Sequence, residues 1–323
     1  MGRTAVIAGD RLAQLQAWAA ELGFEAVGVS RADRLDEEAP RLEAWLAEGR
    51  HGEMGYMEGH FEKRLDPRLL LPGTKTVLSL LYNYHTPDPV GRSDEDTNLK
   101  ISSYALGEDY HFVVKRKLKE LLKWMRADWG DIAGRVFVDS APVMERVWAS
   151  RGGLGWVGKN SLLLTKGAGS YFFLGEILID IELPASVGAA MDHCGTCTRC
   201  IDACPTGAII QPYSVDGSRC ISYYTIELRG DLPEPVAGAF EDWMFGCDIC
   251  QEVCPWNRHA QPHAEPAFLA SPDLLAMTRA DWVDLTSDTF EALFKKSPIR
   301  RTGFEGLKRN IAHIERERLK GGR

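Results

Sequence analysis

The amino-acid sequence predicts an α+β protein: a mixed α/β domain over residues 1–185, a cysteine-rich module over 186–262 and a short, basic, helical segment over 263–323. Three observations predict it. Helical and strand-like apolar periodicities alternate through the first region. All the cysteines fall between Cys194 and Cys254. Beyond a Pro- and Ala-rich stretch at 261–272, the apolar spacing becomes helical again. A chain of 323 residues exceeds the usual size of one domain. Its 45% hydrophobic, 26% charged and 9% aromatic residues exclude the disordered, collagenous and fibrous classes.

Taken in order, Leu12, Leu15, Trp18, Ala19 and Leu22 recur at helical spacing, with Asp10 as the expected N-cap. Glu25 to Ser30 reads as a strand, Leu42 to Leu46 as a helix and Thr76 to Tyr82 as a buried strand. From Val114, the positions Leu118, Leu121, Leu122 and Met125 make one helix face; Lys115, Lys119, Lys123 and Arg126 share its other side, a solvated face by default and otherwise a phosphate track. Val136 to Val138 is a strand ending at Asp139, and Pro142 to Ser150 is helical with proline in its first turn. Ser161 to Thr165 and Tyr171 to Asp180 read as strands, and Phe304, Leu307, Ile311 and Ile314 fit one face of a last helix.

No apolar run reaches the roughly 18 residues of a membrane span, and Ala5 to Ala8 is too short for a signal peptide. Val6 stands where a myristoylation motif needs Ser or Thr. A soluble, cytoplasmic protein with no membrane partner is expected. The formal net charge of −8 argues against indiscriminate nucleic-acid binding. From Lys295 onward, however, ten Lys or Arg face three Glu, a net of +7, which leaves −15 on the preceding residues. Such asymmetry fits either a polyanionic partner near the C-terminus or a solvated basic helix.

The cysteines carry the chemistry. Cys194, Cys197, Cys200 and Cys204 spell C-x2-C-x2-C-x3-C before Pro205; Cys247, Cys250 and Cys254 spell C-x2-C-x3-C before Pro255; Cys220 stands between them. A disulfide framework belongs to small secreted chains, and a zinc ribbon needs neither the third close cysteine nor the Cys-Pro ending. Two cubane clusters account for all eight thiols. In two-cluster ferredoxins the cysteine beyond the C-x2-C-x2-C loop ligates the other cluster. One [4Fe–4S] cluster then takes Cys194, Cys197, Cys200 and Cys254, and the second takes Cys204, Cys220, Cys247 and Cys250. The module is thus ferredoxin-like.

Gly153 to Gly158 spells G-x-G-x-x-G, the dinucleotide fingerprint, and Lys159 nearly completes a P-loop. Context rejects both. A helix precedes the glycines and a strand follows, the reverse of the dinucleotide unit, and Asn160 replaces the Ser or Thr that would hold Mg²⁺. A tight turn or a close backbone approach is the expected use of these glycines.

Several stretches together resemble one family. They are Arg64 to Gly73 (RLDPRLLLPG), Ser103 to His111 (SYALGEDYH), Asp139 to Ala149 (DSAPVMERVWA), Gly153 to Ser161 (GLGWVGKNS) and Cys247 to Asn257 (CDICQEVCPWN). Their order over nearly the whole chain resembles the epoxyqueuosine reductases, cobalamin-dependent iron–sulfur enzymes related to reductive dehalogenases. The resemblance implies reduction of epoxyqueuosine to queuosine at the wobble position of tRNA, the last step of that modification. Electrons would pass through the two clusters to cobalamin, supplied by a flavodoxin- or ferredoxin-type donor to a monomeric enzyme.

By this resemblance Asp139 is the proton donor, a role that requires burial to raise its pKa. From the residues alone it serves equally as a cap for the next helix. The resemblance also places Arg64, Tyr104, Asp139, Leu163, Leu174, Ser222, Cys247 and Asp248 against cobalamin, with Lys159 and Asn160 facing the same site and Arg229 against tRNA. Val114 replaces the glycine of a D-x-H-x-x-G motif begun by Asp109 and His111, so histidine-ligated cobalamin is not indicated. Some members continue into helical repeats that help hold tRNA. Here that grip is expected from the basic tail and the cluster module. The competing readings are a dehalogenase-like corrinoid reductase of a small molecule and a ferredoxin-type electron carrier.

Overall fold

Four antiparallel strands in the order Ala26–Arg31, Thr76–Asn83, Phe172–Ile179 and Gly134–Phe137 build the sheet of the first region. The structure, a computed structural model, describes residues 2–87, 98–186, 191–233 and 240–321. Thr76–Asn83 is buried along nearly all its length, which demands cover on both faces of the sheet. On one face lie helices Gly2–Glu21 and Tyr110–Trp129, whose Leu15, Ala19, Val114, Leu118 and Leu121 pack on Val29, Leu78, Leu80, Ile177 and Ile179. On the other, Trp148 of helix Glu145–Arg151 packs on Val77, Phe137 and Leu178. Burying each such side chain contributes roughly 1.5–3 kcal/mol.

Three expectations are corrected. Asp10 lies inside the first helix, which starts at Gly2, so it is no N-cap. The helix expected from Pro142 starts at Glu145, because the chain makes a turn after Asp139 before it can wind. The strand expected over Ser161 to Thr165 shrinks to Leu163–Leu164, paired with Trp156–Val157. That hairpin explains the glycines that imitate a nucleotide loop. Gly153 turns the chain at φ +77°, and a Cβ on Gly155 would stand 2.0 Å from the Leu164 carbonyl oxygen. Gly155→Ala is therefore expected to push the two short strands apart and cost about 1–3 kcal/mol, read as a fall in the midpoint of denaturation.

The segments expected at 1–185, 186–262 and 263–323 follow one another along the chain, but the apolar cores cross between them. Leu99, Ile101 and Leu106 share a core with Tyr224, Trp243 and Phe245 and with Trp282, Phe294, Leu307 and Ile311. Lys100–Ile101 pairs in parallel with Trp243–Phe245. Asn310 of the last helix, Gly303–Gly321, is fully buried and donates to the carbonyls of Thr225 (2.9 Å) and Met244 (3.0 Å). The C-terminal segment thus clamps the cysteine module onto the first region. Among the described residues no helix is long and apolar enough to cross a membrane.

Candidate active site

Strand Gly134–Phe137 runs out into a turn at Asp139, whose φ of +48° is left-handed backbone that few non-glycine residues adopt. Three groups meet it there. Its N–H donates to Glu145 Oε1 at 2.5 Å. The Tyr110 hydroxyl donates to its Oδ2, and His111 Nε2 stands 3.7 Å from the same oxygen. Asp109 caps the helix that carries both aromatic residues, accepting from the His111 N–H at 2.9 Å. The same Asp109 oxygen meets His111 Nδ1 at 2.7 Å, which turns Nε2 toward Asp139. Burial and then the Asp139 charge push the Tyr110 hydroxyl well above its ordinary value, so it stays a donor. Asp139 itself is 59% exposed, so the polypeptide alone does not provide the expected burial of this carboxyl.

Tyr104 packs edge-on to Tyr110, with ring centroids 6.0 Å apart, and against Phe245 at 6.2 Å. It lies between the Asp139 and Asp248 charges; burial, then those charges, drive its hydroxyl well above the usual range. The Asp248 carboxylate is buried and taken up by the Ser102 hydroxyl and by the Ser103 N–H (2.8 Å) and hydroxyl (2.9 Å). It therefore ties the Cys247–Cys250 loop to the segment that carries Tyr104. Arg64 is buried, donates to the Tyr56 carbonyl at 2.6 Å and keeps its Nε without a partner. Tyr56 joins it to Asp139, Glu227 and Arg301, whose charges it feels. Leu163 and Leu174 lie together with Leu81 and Ala149 in a small apolar cluster.

The eight thiols are free and gather in two neighbourhoods. Burial raises the Cys200 thiol, and the next charges it feels are those of Cys254, Cys194 and Cys197; Cys254 feels Cys194 and Cys197. In the other group Cys247 feels Cys220 and Cys204, Cys250 feels Cys220 and Cys247, and Cys220 feels Cys204. Cys250 also feels Cys200, so the two groups adjoin. Ser222 lies beside Cys220 and hydrogen-bonds its thiol. Among the described residues no three His, Cys, Asp or Glu side chains converge as they would on a single metal ion. Lys159 and Asn160 secure the cysteine loops. Lys159 Nζ donates to the carbonyls of Gly195 (2.6 Å) and Cys197 (3.0 Å), and Asn160 to that of Cys250 (3.1 Å). A recess of about 930 Å³ opens beside Cys254, lined by His85, Tyr171, Arg199 and Arg258.

The basic tail is largely engaged within the protein. Arg300 pairs with Glu291 at 2.8 Å and Arg301 doubly with Glu227 at 2.8 Å. Lys308 donates to the Val283 carbonyl, and Arg309 to those of Tyr224, Leu228 and Gly230. Arg229 is exposed on the turn that Arg309 holds. Sequence reasoning missed Tyr56, Tyr110, Glu145, Glu176 and Arg301 as neighbours of the Asp139 turn. One signal was available: Glu176 interrupts the otherwise apolar run Phe172–Ile179.

The chain is similar to known proteins over most of its length. The family model described as epoxyqueuosine reductase QueG, DUF1730, matches residues 64–140, and that of a 4Fe-4S double cluster binding domain matches 193–257. An epoxyqueuosine reductase of Cellulophaga algicola is 53% identical over 301 residues, covering 93% of this chain and 97% of its own. A crystal structure of epoxyqueuosine reductase with an epoxyqueuosine-modified tRNA-Tyr stem loop superposes with a TM-score of 0.86 at 28% identity, covering 95% of this chain and 81% of that one. The Bacillus subtilis enzyme, solved with its catalytic aspartate loop swung out of the active site, superposes at 0.85 with the same identity and coverage. This chain belongs to the epoxyqueuosine reductase family.

Proposed function

We propose that the chain reduces epoxyqueuosine to queuosine at the wobble position of tRNA, with Asp139 as the proton donor. The observation that carries this reading is the Asp139 carboxylate. It is exposed at a turn built by Tyr110, His111 and Glu145 and linked through Tyr104 and Asp248 to the second group of thiols. Removing the epoxide oxygen as water takes two electrons and two protons. Cys194, Cys197, Cys200 and Cys254 would hold one [4Fe–4S] cluster, and Cys204, Cys220, Cys247 and Cys250 the other. The recess beside Cys254 is open to a flavodoxin- or ferredoxin-type donor, and the adjoining groups give its electrons one direction.

Cobalamin fits the residues around the turn. The unpartnered Arg64 Nε is a buried donor for an amide carbonyl of the corrin rim, and Leu163, Leu174 and Tyr104 offer apolar and aromatic walls. When bound, it supplies a cobalt centre reducing enough to open the epoxide. Seating a corrin beside Asp139 would also exclude water from a carboxyl that the polypeptide leaves exposed. Tyr110 orients the carboxyl, and His111, held by Asp109, is placed to return a proton to it after turnover.

The test is mass spectrometry of tRNA nucleosides after anaerobic incubation of the reconstituted protein with epoxyqueuosine tRNA. Appearance of queuosine supports the reading. Its absence, with both cofactors loaded and reduced, rejects it.

For tRNA the exposed Arg229, together with Arg300 and Lys308 of the C-terminal segment, supplies the proposed phosphate contacts. Neutralising these three is expected to raise KM for tRNA and flatten its salt dependence by about one unit of log–log slope per lost contact. Arg309→Ala should instead lower stability by about 2–3 kcal/mol, because three carbonyls lose a charged donor. Denaturation midpoints and KM measured side by side separate the two effects.

A further inference from the structure

Glu176 occupies the middle of the central strand and is fully buried. Its register partners are Ser79 on one side and Phe137 on the other. Among the described residues no hydrogen-bond donor meets either of its oxygens, and the Ser79 hydroxyl is likewise without a partner. The charged groups that face it are both acids, Glu145 first and Asp139 after it. Glu145 faces Asp139 from the turn, Glu176 from the strand and Arg146 from its own helix, where Arg146 is exposed and donates to the Ser161 carbonyl. A wholly buried carboxyl with no donor in reach cannot stay ionised beside the half-buried carboxyl of Glu145. One proton must sit in the pair. Glu176, being wholly out of water, keeps it and donates to Glu145, which burial and the Asp139 charge raise in turn.

We infer that Glu145 is a positioning residue: bridged by a shared proton to Glu176, its carboxyl holds the Asp139 N–H and seats the Asp139 turn over the cleft. The turn needs such a hold. A left-handed aspartate is strained relative to ordinary backbone. The 2.5 Å bond to Glu145 is its main-chain anchor, and the Tyr110 hydroxyl is the side-chain anchor. If the proton leaves Glu176, three negative carboxyls crowd one point and the anchor weakens. The sign follows from the raised values. Both acids bind the proton more tightly folded than unfolded, so their contribution is present in acid and lost as pH rises through the folded values. The seat is thus held at neutral pH and released in alkali.

This inference rests on the reading of Asp139 as proton donor, and the test keeps the two apart. Infrared difference spectra of the holoenzyme should contain a protonated-carboxyl C=O band above pH 6 that Glu176→Gln removes. Glu145→Ala should lower kcat by about 10- to 100-fold, as a displaced catalytic group does, with KM for tRNA and corrin content unchanged. Glu145→Gln, whose amide oxygen still accepts from the Asp139 N–H, should restore most of that loss. Glu176→Gln, whose amide donates at any pH, should move the alkaline fall of kcat upward by about one pH unit or more. A holoenzyme without the carboxyl band, or Glu145→Ala turning over at the parental rate, overturns the inference. An active Asp139→Asn enzyme that still has the band would overturn the donor reading and leave the paired proton standing.

Discussion

Asp139→Asn is expected to lower kcat by about 10²- to 10⁴-fold while iron content, corrin binding and KM for tRNA stay at parental values. Asparagine is the sharpest substitution here for three physical reasons. It matches the volume of the acid. Its amide oxygen still accepts from the Tyr110 hydroxyl, so the side-chain anchor survives. It also tolerates the φ of +48°, which alanine would meet with strain. What it lacks is a proton to give. Stopped-flow turnover of epoxyqueuosine tRNA by the fully reduced variant reads the effect directly. A variant that reacts as fast as the parent would assign the proton to another group, and His111, 3.7 Å away, would be the first to examine. Because neither anchor nor backbone is disturbed, loss of activity cannot be put down to a collapsed turn.

The parts of the site legible in the sequence are those fixed by local spacing. Three of the four ligands proposed for the first cluster lie within seven residues, Cys194 to Cys200, and the Cys-Pro endings mark where each loop leaves its cluster. The strands around Asp139 were legible because Thr76–Asn83 and Phe172–Ile179 are apolar nearly throughout. The helix after it was misplaced by three residues, because proline marks where a helix can begin and not where the turn before it ends. The bonds of Lys159 and Asn160 to the cysteine loops were illegible for a different reason. A motif shows that residues are needed, but which loop they reach depends on how the Trp156–Val157 hairpin is set against the cysteine module. Contacts such as Arg309 with the Tyr224 and Leu228 carbonyls join residues more than 80 positions apart, and no periodicity announces them. The C-terminal charge therefore looked free in the sequence, whereas in the fold much of it neutralises Glu227 and Glu291 or caps carbonyls.

Cys220 gives the second large prediction, since it is the ligand that spacing alone supports least. It stands alone between the two cysteine runs, where a regular motif would have supplied another C-x2-C arm. Its thiol is raised by burial and then by Cys204, and Cys247 and Cys250 both feel its charge. A thiol in apolar surroundings that merely filled space would tolerate alanine at a cost of about 1 kcal/mol. A cluster ligand would not. Cys220→Ala is expected to lower the iron of the anaerobically reconstituted protein from about eight to about four per chain. One of the two EPR signals should go with it, and multiple turnover should fall to background. The group formed by Cys194, Cys197, Cys200 and Cys254 should remain filled, because Cys220 lies with the other group, beside Cys204, Cys247 and Cys250. The same variant given Cys254→Ala as well should bind almost no iron. Retention of about eight irons by the single variant would show that Cys220 is only a packed thiol and that the second cluster has found its fourth ligand elsewhere.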